Sequence, residues 1–412
     1  MIDSAGFSEP LSLIAGRRLA LVVTGGVAAY KAAELARRLT RAGAQVRAVL
    51  TENAARFVSP LTFEALTGRP AALSLWARPQ FEIEHVTLAA WAEAVVVAPA
   101  TANFLAKMAH GLADDLASTF ILAAGGPVLA APAMNSRMLA APATRANLEL
   151  LAGRGVEIIA PAEGLLACGE TGSGRLADLE TIALSLARSL APRDFQGRAL
   201  AVTAGSTWEK WDDIRFLANR STGLMGRELA LTAWLRGGRV TLVGGPAALR
   251  PPALPNLTFF QVESTRDLLA ALEGLDYQIL LMAAAPADFR PAEVHPGKIK
   301  KSRGAPALPL AANPDILKSL PRRAGVLRIG FAAEDQDLVP RAREKLADKD
   351  LDLVVANMAG GPEGAFAAPA GRVSLIFRDG RTEALGHRPK FATAWAILDA
   401  AATLDPTAAD RS

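Results

Sequence analysis

Short aliphatic runs alternate along the chain with amphipathic segments, and they do so in two separate blocks. In the first block, residues 19–24 read as a buried strand that turns at Gly25-Gly26. The helix expected next, from about 27 to 41, carries Leu35 and Leu39 on one face and is ended by Gly43. Residues 46–50, 94–98, 128–131 and 156–159 are further apolar strands, each followed by a polar or Pro/Gly turn, and a helix over 179–190 closes the block. Continuous apolar strands separated by helices predict a parallel sheet covered on both faces.

Ala191-Pro-Arg-Asp-Phe-Gln-Gly197 breaks every periodicity and is the expected linker, with domains at 1–190 and 198–412. The second block restarts the pattern. A strand over 200–203 runs into Ala204-Gly205, and a helix over about 224–235 stops at Gly237-Gly238. Strands are expected at 240–243, 279–283, 326–331 and 353–356. Two more, 373–377 and 382–385, flank Asp379-Gly380, a hairpin signal that predicts an antiparallel edge. The Pro-, Gly- and Lys-rich stretch 291–309 reads as a long mobile loop. The fold class is therefore α/β, with two domains that are each a mainly parallel sheet flanked by helices.

Composition narrows the picture modestly. A chain of 412 residues is too long for one ordinary core, and 51% apolar residues suits buried α/β units. The net charge is only +4, from 45 basic and 41 acidic side chains scattered without blocks, which argues against nucleic-acid or membrane-surface binding. No apolar stretch reaches membrane-spanning length, and the first ten residues carry Asp3 and Glu9 with no basic start before an apolar run. The expectation is a cytoplasmic protein.

Candidate chemistry begins with Cys168, the only cysteine, in Ala167-Cys-Gly-Glu-Thr-Gly-Ser-Gly-Arg175. Alone it forms no intramolecular disulfide, so it serves packing or chemistry. A loop of glycines and short polar residues without apolar period suits a reactive thiol better than an inert one, and its three glycines can bring backbone N–H groups close to a ligand. The turns at Gly25-Gly26 and Ala204-Gly205 place free N–H groups at helix starts, which favours a phosphate, although ligand-free βα turns use the same residues. Neither matches the dinucleotide pattern G-x-G-x-x-G. Ala98-Pro-Ala-Thr-Ala-Asn103 puts Thr101 and Asn103 at the carboxyl end of a strand, where open α/β sheets bind ligands.

These residues carry a resemblance. Thr24-Gly-Gly-Val-Ala-Ala-Tyr-Lys31, His85, Ala98–Asn103, Pro132-Ala-Met-Asn135 and the Cys168 loop occur in order. They are followed by Thr203-Ala-Gly205, Asp213-Ile-Arg215, Asn219-Arg-Ser-Thr-Gly223, Met225-Gly226 and Ala284-Ala-Pro-Ala-Asp288. Lys298-Ile-Lys-Lys301, Asn313-Pro-Asp-Ile316, Gly330-Phe-Ala-Ala-Glu334 and Ala356-Asn357 complete the set. In number and order they resemble, over nearly the full chain, the bacterial bifunctional coenzyme A biosynthesis flavoproteins. Those proteins join phosphopantothenoylcysteine decarboxylase to phosphopantothenate–cysteine ligase.

For the first half, the resemblance implies a flavodoxin-like or Rossmann-like domain that uses FMN, held by Gly25, Gly26, Thr51, Thr101 and Asn103. It implies that the substrate thiol is oxidised to a thioaldehyde so that CO₂ can leave. Cys168 is then the acid of the final reduction, His85 the base or proton handler, and Asn135 a holder of the substrate carboxylate or amide. From its residues alone His85 is a lone histidine near a strand-like run, and Asn135 a helix N-cap that can also do both jobs.

For the second half, the resemblance implies a Rossmann-like ligase. It activates 4'-phosphopantothenate with CTP as an acyl-cytidylate, with Mg²⁺ on the triphosphate, and then joins it to cysteine. Asn219 would handle the acyl-cytidylate, and Arg215 suits the phosphate of phosphopantothenate. Asp288, Lys298, Phe331, Lys345 and Lys349 match nucleotide-contacting positions, as does Asn313-Pro314-Asp315-Ile316. Leu224 stands where the family usually has lysine, so that charge is missing or comes from Arg220 or Arg227. No His/Cys cluster suggests zinc, and no metal ligands can be named. The resemblance also implies a homo-oligomer, trimer-based or dodecameric through the first half, with dimeric ligase domains. A catalytically silent scaffold is disfavoured by the presence of both His85 and Cys168. A flavin prenyltransferase or peptidyl-cysteine decarboxylase leaves residues after about 195 unexplained.

Overall fold

The computed structural model describes residues 9–76, 83–165, 169, 171–300, 307–334, 337–358 and 370–404. Cys168 and Lys301 lie outside them. The chain divides into two compact units, Met1–Ala191 and Pro192–Ser412.

In the first unit the strands are β1 (Arg18–Val23), β2 (Gln45–Leu50), β3 (Ala94–Ala100), β4 (Val128–Pro132) and β5 (Glu157–Ile158). They form one sheet in the order β2-β1-β3-β4-β5, every pairing parallel. Unbroken apolar runs such as that of β3 require cover on both faces of the sheet, and Leu19, Leu21, Val95, Val96 and Leu129 are all enclosed. The helix Ala29–Arg41 follows β1, and Leu35, Ala36 and Leu39 form its buried stripe. The helix Leu179–Leu190 closes the unit. The chain order reverses between β1 and β3, so the loops after these strands diverge and leave a crevice at their carboxyl ends. A separate antiparallel hairpin, β6 (Ala162–Leu165) and β7 (Thr171–Arg175), flanks the Cys168 segment, which the sequence reads only as a loop.

The second unit is built on β8 (Ala199–Ala204), the short pair β9 (Glu209–Lys210) and β10 (Phe216–Leu217), β11 (Arg239–Gly244), β12 (Leu257–Gln261) and β13 (Ile279–Met282). These are followed by the pair β14 (Phe289–Pro291) and β15 (Leu310–Ala312), then β16 (Leu327–Glu334), β17 (Leu353–Met358), β18 (Ala370–Phe377) and β19 (Thr382–Pro389). Its eight-stranded sheet runs β12-β11-β8-β13-β16-β17-β18-β19. The first six strands are parallel in the order of a nucleotide-binding doubly wound sheet, and β18 and β19 are antiparallel. β12 escapes sequence reading because its pattern at the sheet edge is mixed, with Phe260 exposed.

Two expectations are corrected here. His85 lies in the first turn of a helix, Glu84–Trp91, and not beside a strand. The stretch expected as a mobile loop is anchored over part of its described length. β14 pairs with β15, and the amides of Gly297 and Ile299 donate to the carboxylates of Asp213 and Asp212 at 2.9 and 3.2 Å.

Candidate active sites

A cavity of about 1130 Å³ opens at the carboxyl edge of the first sheet. Gly25, Gly26, Thr51, Thr101 and Asn103 all line it, and so does Asn135. They converge because each follows a strand of the same parallel sheet: β1, β2, β3 and β4 in turn. Thr24 ties two of these loops together. Its buried hydroxyl donates to the Pro99 carbonyl at 2.7 Å and accepts the Thr101 amide at 3.0 Å. Gly25 is required by close approach, since a Cβ there would lie 2.3 Å from Cβ of Asn53. Thr51 and Asn135 cap the helices they start, accepting from the amides of Ala54 (3.2 Å) and Arg137 (2.8 Å). A large cavity floored by a glycine turn and small polar side chains at a helix start fits a flavin mononucleotide, whose phosphate suits free N–H groups.

The glycine-rich strand β7 reaches this cavity. Gly174 has φ +133°, and a Cβ on it would lie 2.2 Å from the Met134 carbonyl. The Met134 amide donates to the Gly174 carbonyl at 2.9 Å. The glycines therefore seat the hairpin on the Asn135 turn, a packing role that the sequence reading assigned to ligand contact alone. Leu165, Gly174 and Arg175 line the cavity on either side of the segment that carries Cys168. His85 is not among the lining residues.

Three cations at this cavity escape the sequence reading: Lys31, Lys107 and Arg175. Lys107 is held by Asp114 and Asp115 at 2.6 and 3.0 Å. Burial, followed by the nearby Arg175 charge, pushes the Lys31 ammonium below the usual lysine value. The signal for Lys31 is its place in the first turn after Gly25-Gly26, where a side chain stays near the mouth of the turn.

A second cavity, about 540 Å³, lies at the carboxyl edge of the second sheet. Asn219, Asp288, Phe331, Lys345 and Lys349 line it. The segment Ala283–Pro286 follows β13, Phe331 and Asn357 come from β16 and β17, and the turn 219–223 leads into the helix Leu224–Leu235. Asn219 is anchored there, its Nδ2 donating to the Pro286 carbonyl at 2.8 Å. Burial, and secondly the Lys349 charge, lower the Lys345 pKa.

Other expected residues stand outside this cavity. Asn313 Nδ2 donates to the Ala287 carbonyl at 2.8 Å and its amide to the Asp288 carbonyl at 2.8 Å, so it braces Asp288 from behind. Asp315 caps the helical turn Ile316–Ser319 and pairs with Lys349, while Ile316 is core. Pro314 joins the two and does not line the cavity. Arg215 packs over the Trp211 ring, 5.2 Å from its centroid, and donates to the Ile299 carbonyl at 3.2 Å. It thus buttresses the segment that bears exposed Lys298, and neither residue lines the cavity. Of the two arginines considered beside Leu224, Arg220 lines the cavity and Arg227 is buried against Glu228 at 3.2 Å. The sequence reading passed over Arg372, Lys390 and Thr393, which also line it.

Two units with a flavin-sized cavity and a cation-rich cavity, each at a sheet's carboxyl edge, define a two-headed α/β enzyme. Residues 8–190 match the family model described as Flavoprotein, and residues 195–404 that of the DNA/pantothenate metabolism flavoprotein C-terminal domain. The chain is 40% identical over 408 residues to the coenzyme A biosynthesis bifunctional protein CoaBC of Bacillus subtilis, covering 97% of this chain and 100% of that one. Among solved structures, the C-terminal domain of a CoaBC is 34% identical with TM-score 0.43, covering 52% of this chain and 97% of the other. The FMN-dependent cysteine decarboxylase SpaF is 35% identical with TM-score 0.39, covering 43% and 99%. The chain belongs to the family of bifunctional coenzyme A biosynthesis proteins, enzymes with ligase and FMN-dependent decarboxylase activities.

Proposed function

We propose that the two reactions are divided between the two units. The second unit joins 4'-phosphopantothenate to cysteine, and the first decarboxylates the 4'-phosphopantothenoylcysteine to 4'-phosphopantetheine. The observation that carries this reading is the convergence of Gly25, Gly26, Thr51, Thr101, Asn103 and Asn135 on one cavity, and of Asn219, Asp288, Phe331, Lys345 and Lys349 on the other.

In the decarboxylase, Gly25, Gly26, Thr51, Thr101 and Asn103 hold FMN, which when bound supplies reversible two-electron oxidation of the substrate thiol. Asn135 presents its amide to the substrate carboxylate or amide, and Cys168 delivers the proton that completes reduction of the enethiolate. Because His85 stands outside its own unit's cavity, its part as proton handler requires the cavity of a neighbouring copy. That requirement agrees with a homo-oligomer, and exposed Tyr30, Leu61 and Trp76 offer apolar surface to cover in one.

In the ligase, the phosphopantothenate carboxylate attacks the α-phosphorus of CTP to give an acyl-cytidylate and release pyrophosphate, and the cysteine amine then displaces CMP. A Mg²⁺ ion would sit on the triphosphate and offset its charge. Lys345 and Lys349 offset the triphosphate charge, and Asn219 holds the acyl-cytidylate. Lys298 acts from the segment 295–299, and Arg215 from beside it through its bond to the Ile299 carbonyl, as that segment closes over the cavity. We place both reactions in the cytoplasm, consistent with the absence of any membrane-spanning helix among the described residues.

Paired variants test the division. Cys168→Ser should still bind flavin and release CO₂, and mass spectrometry should find a product two hydrogens short of phosphopantetheine. Asn219→Asp places like charge beside the acyl-cytidylate and should stop ligation while supplied phosphopantothenoylcysteine is still decarboxylated. Loss of both activities in the folded Asn219→Asp protein would overturn the division.

A further inference from the structure

One wall of the second cavity is made by the starts of two helices. The helix Leu224–Leu235 contributes residues 223–226, and the C-terminal helix Lys390–Leu404 contributes Lys390 and Thr393. Strand register fixes the second of these. Pro389 pairs with Ala370 and Arg388 with Gly371, so Lys390 leaves β19 at the same edge of the sheet from which Gly371 and Arg372 line the cavity. The positive ends of two helix dipoles thus meet at a site already bordered by Lys345 and Lys349.

Local physics disfavours a lysine at this position twice over. A cation in the first turn of a helix opposes the dipole, and burial lowers the Lys390 pKa by desolvating its ammonium. Leu224, at the first position of the neighbouring helix, brings no charge to the wall. A half-buried cation at a helix start, in a cavity with further cations, suits a polyanion that arrives with the substrate.

We propose that Lys390 is a binding residue of the ligase site that contacts phosphate oxygens of the nucleoside triphosphate. This rests on the reading of the cavity as the ligase site. The ammonium supplies charge on the wall where Leu224 supplies none, and Thr393 of the same helix borders the same space.

The test uses the full chain, with Lys390→Met keeping the aliphatic stem, Lys390→Arg keeping the charge, and Lys345→Met run in parallel. Pyrophosphate release is followed as CTP is varied at saturating phosphopantothenate and cysteine. Losing one charge-assisted contact should raise the CTP KM of Lys390→Met by about 10-fold or more, with kcat changing less, and Lys390→Arg should recover most of it. An unchanged KM in Lys390→Met beside a raised one in Lys345→Met overturns the proposal alone. If both are unchanged, the reading of the cavity falls and takes the proposal with it. Equal loss in the Met and Arg variants at unchanged KM marks a structural residue and also overturns it. Should Lys390→Met misfold, amine labelling of the unaltered protein decides: CTP should protect Lys390, and full labelling with CTP bound overturns the assignment.

Discussion

Lys349 Nζ lies 3.0 Å from Asp315 Oδ2, while Asp315 Oδ1 accepts the Lys318 amide at 3.3 Å. Asp315 itself stays out of the cavity that Lys349 lines. The acidic residue of Asn313-Pro-Asp-Ile316 therefore aims a lysine at the site, and Asn313 does the same for the backbone of Asp288. The segment 313–316 thus stands behind residues that line the cavity.

Asp315→Asn keeps a capping oxygen and removes the charge that places Lys349. Ligation should fall about 3- to 10-fold, mainly through CTP KM, with decarboxylation unchanged, consistent with a partly exposed pair worth about 1 kcal/mol. Burial raises the Asp315 pKa, but its bonds to Lys349 and the Lys318 amide outweigh that and leave it below the usual carboxylate value. Stability from this carboxylate is present above its unfolded pKa and is lost as pH falls through the lower folded one. Melting temperature followed down through that acid range should drop less steeply in Asp315→Asn than in the unaltered protein.

Lys345 gives a prediction of opposite sign. Burial and the Lys349 charge make it lose its proton at lower pH than a free lysine. CTP affinity should therefore weaken on the alkaline side before ordinary lysines titrate, and Lys345→Arg should move that limb upward. Stability of the ligand-free protein should instead rise over the same window, since the folded state binds this proton less tightly than the unfolded chain. Initial-rate profiles and melting curves over one pH series separate the two trends.

Gly25→Ala should damage flavin binding selectively. The new methyl would stand 2.3 Å from Cβ of Asn53, so the β1 and β2 loops must part. Overpacking of this kind costs about 1–3 kcal/mol. The flavin-to-protein absorbance ratio should drop at least several-fold, with ligation retained.

Gly174→Ala combines a left-handed backbone with a clash on the Met134 carbonyl. The hairpin should lift from the Asn135 turn, and decarboxylation should fall by more than tenfold with less effect on bound flavin. Decarboxylation and flavin content measured on the same preparation check this. Unchanged decarboxylation would mean that the seating of β7 is irrelevant to Cys168.

Much of the scaffold was written locally. The runs around Leu21, Val96 and Leu280 are apolar throughout because their strands are covered on both faces, and that pattern needs no knowledge of distant residues. Gly43, Gly237 and the Asp379-Gly380 turn mark ends by backbone chemistry alone. The glycine and Thr/Asn turns of the first cavity were legible for the same reason, since each follows its strand directly. Strand order was not, because parallel neighbours such as β1 and β3 bring Leu19 against Ala94, and a pairing so distant leaves no spacing to read. The short pairs β9–β10 and β14–β15 have too few residues for a period. Arg175 and Lys390 reach their cavities only through the packing of helices and strands distant in sequence, and Arg215 and Asp315 are kept outside by partners equally remote. Which residues could take part was a property of the chain; which of them face a ligand was decided where the sheets closed, by contacts that no local pattern encodes.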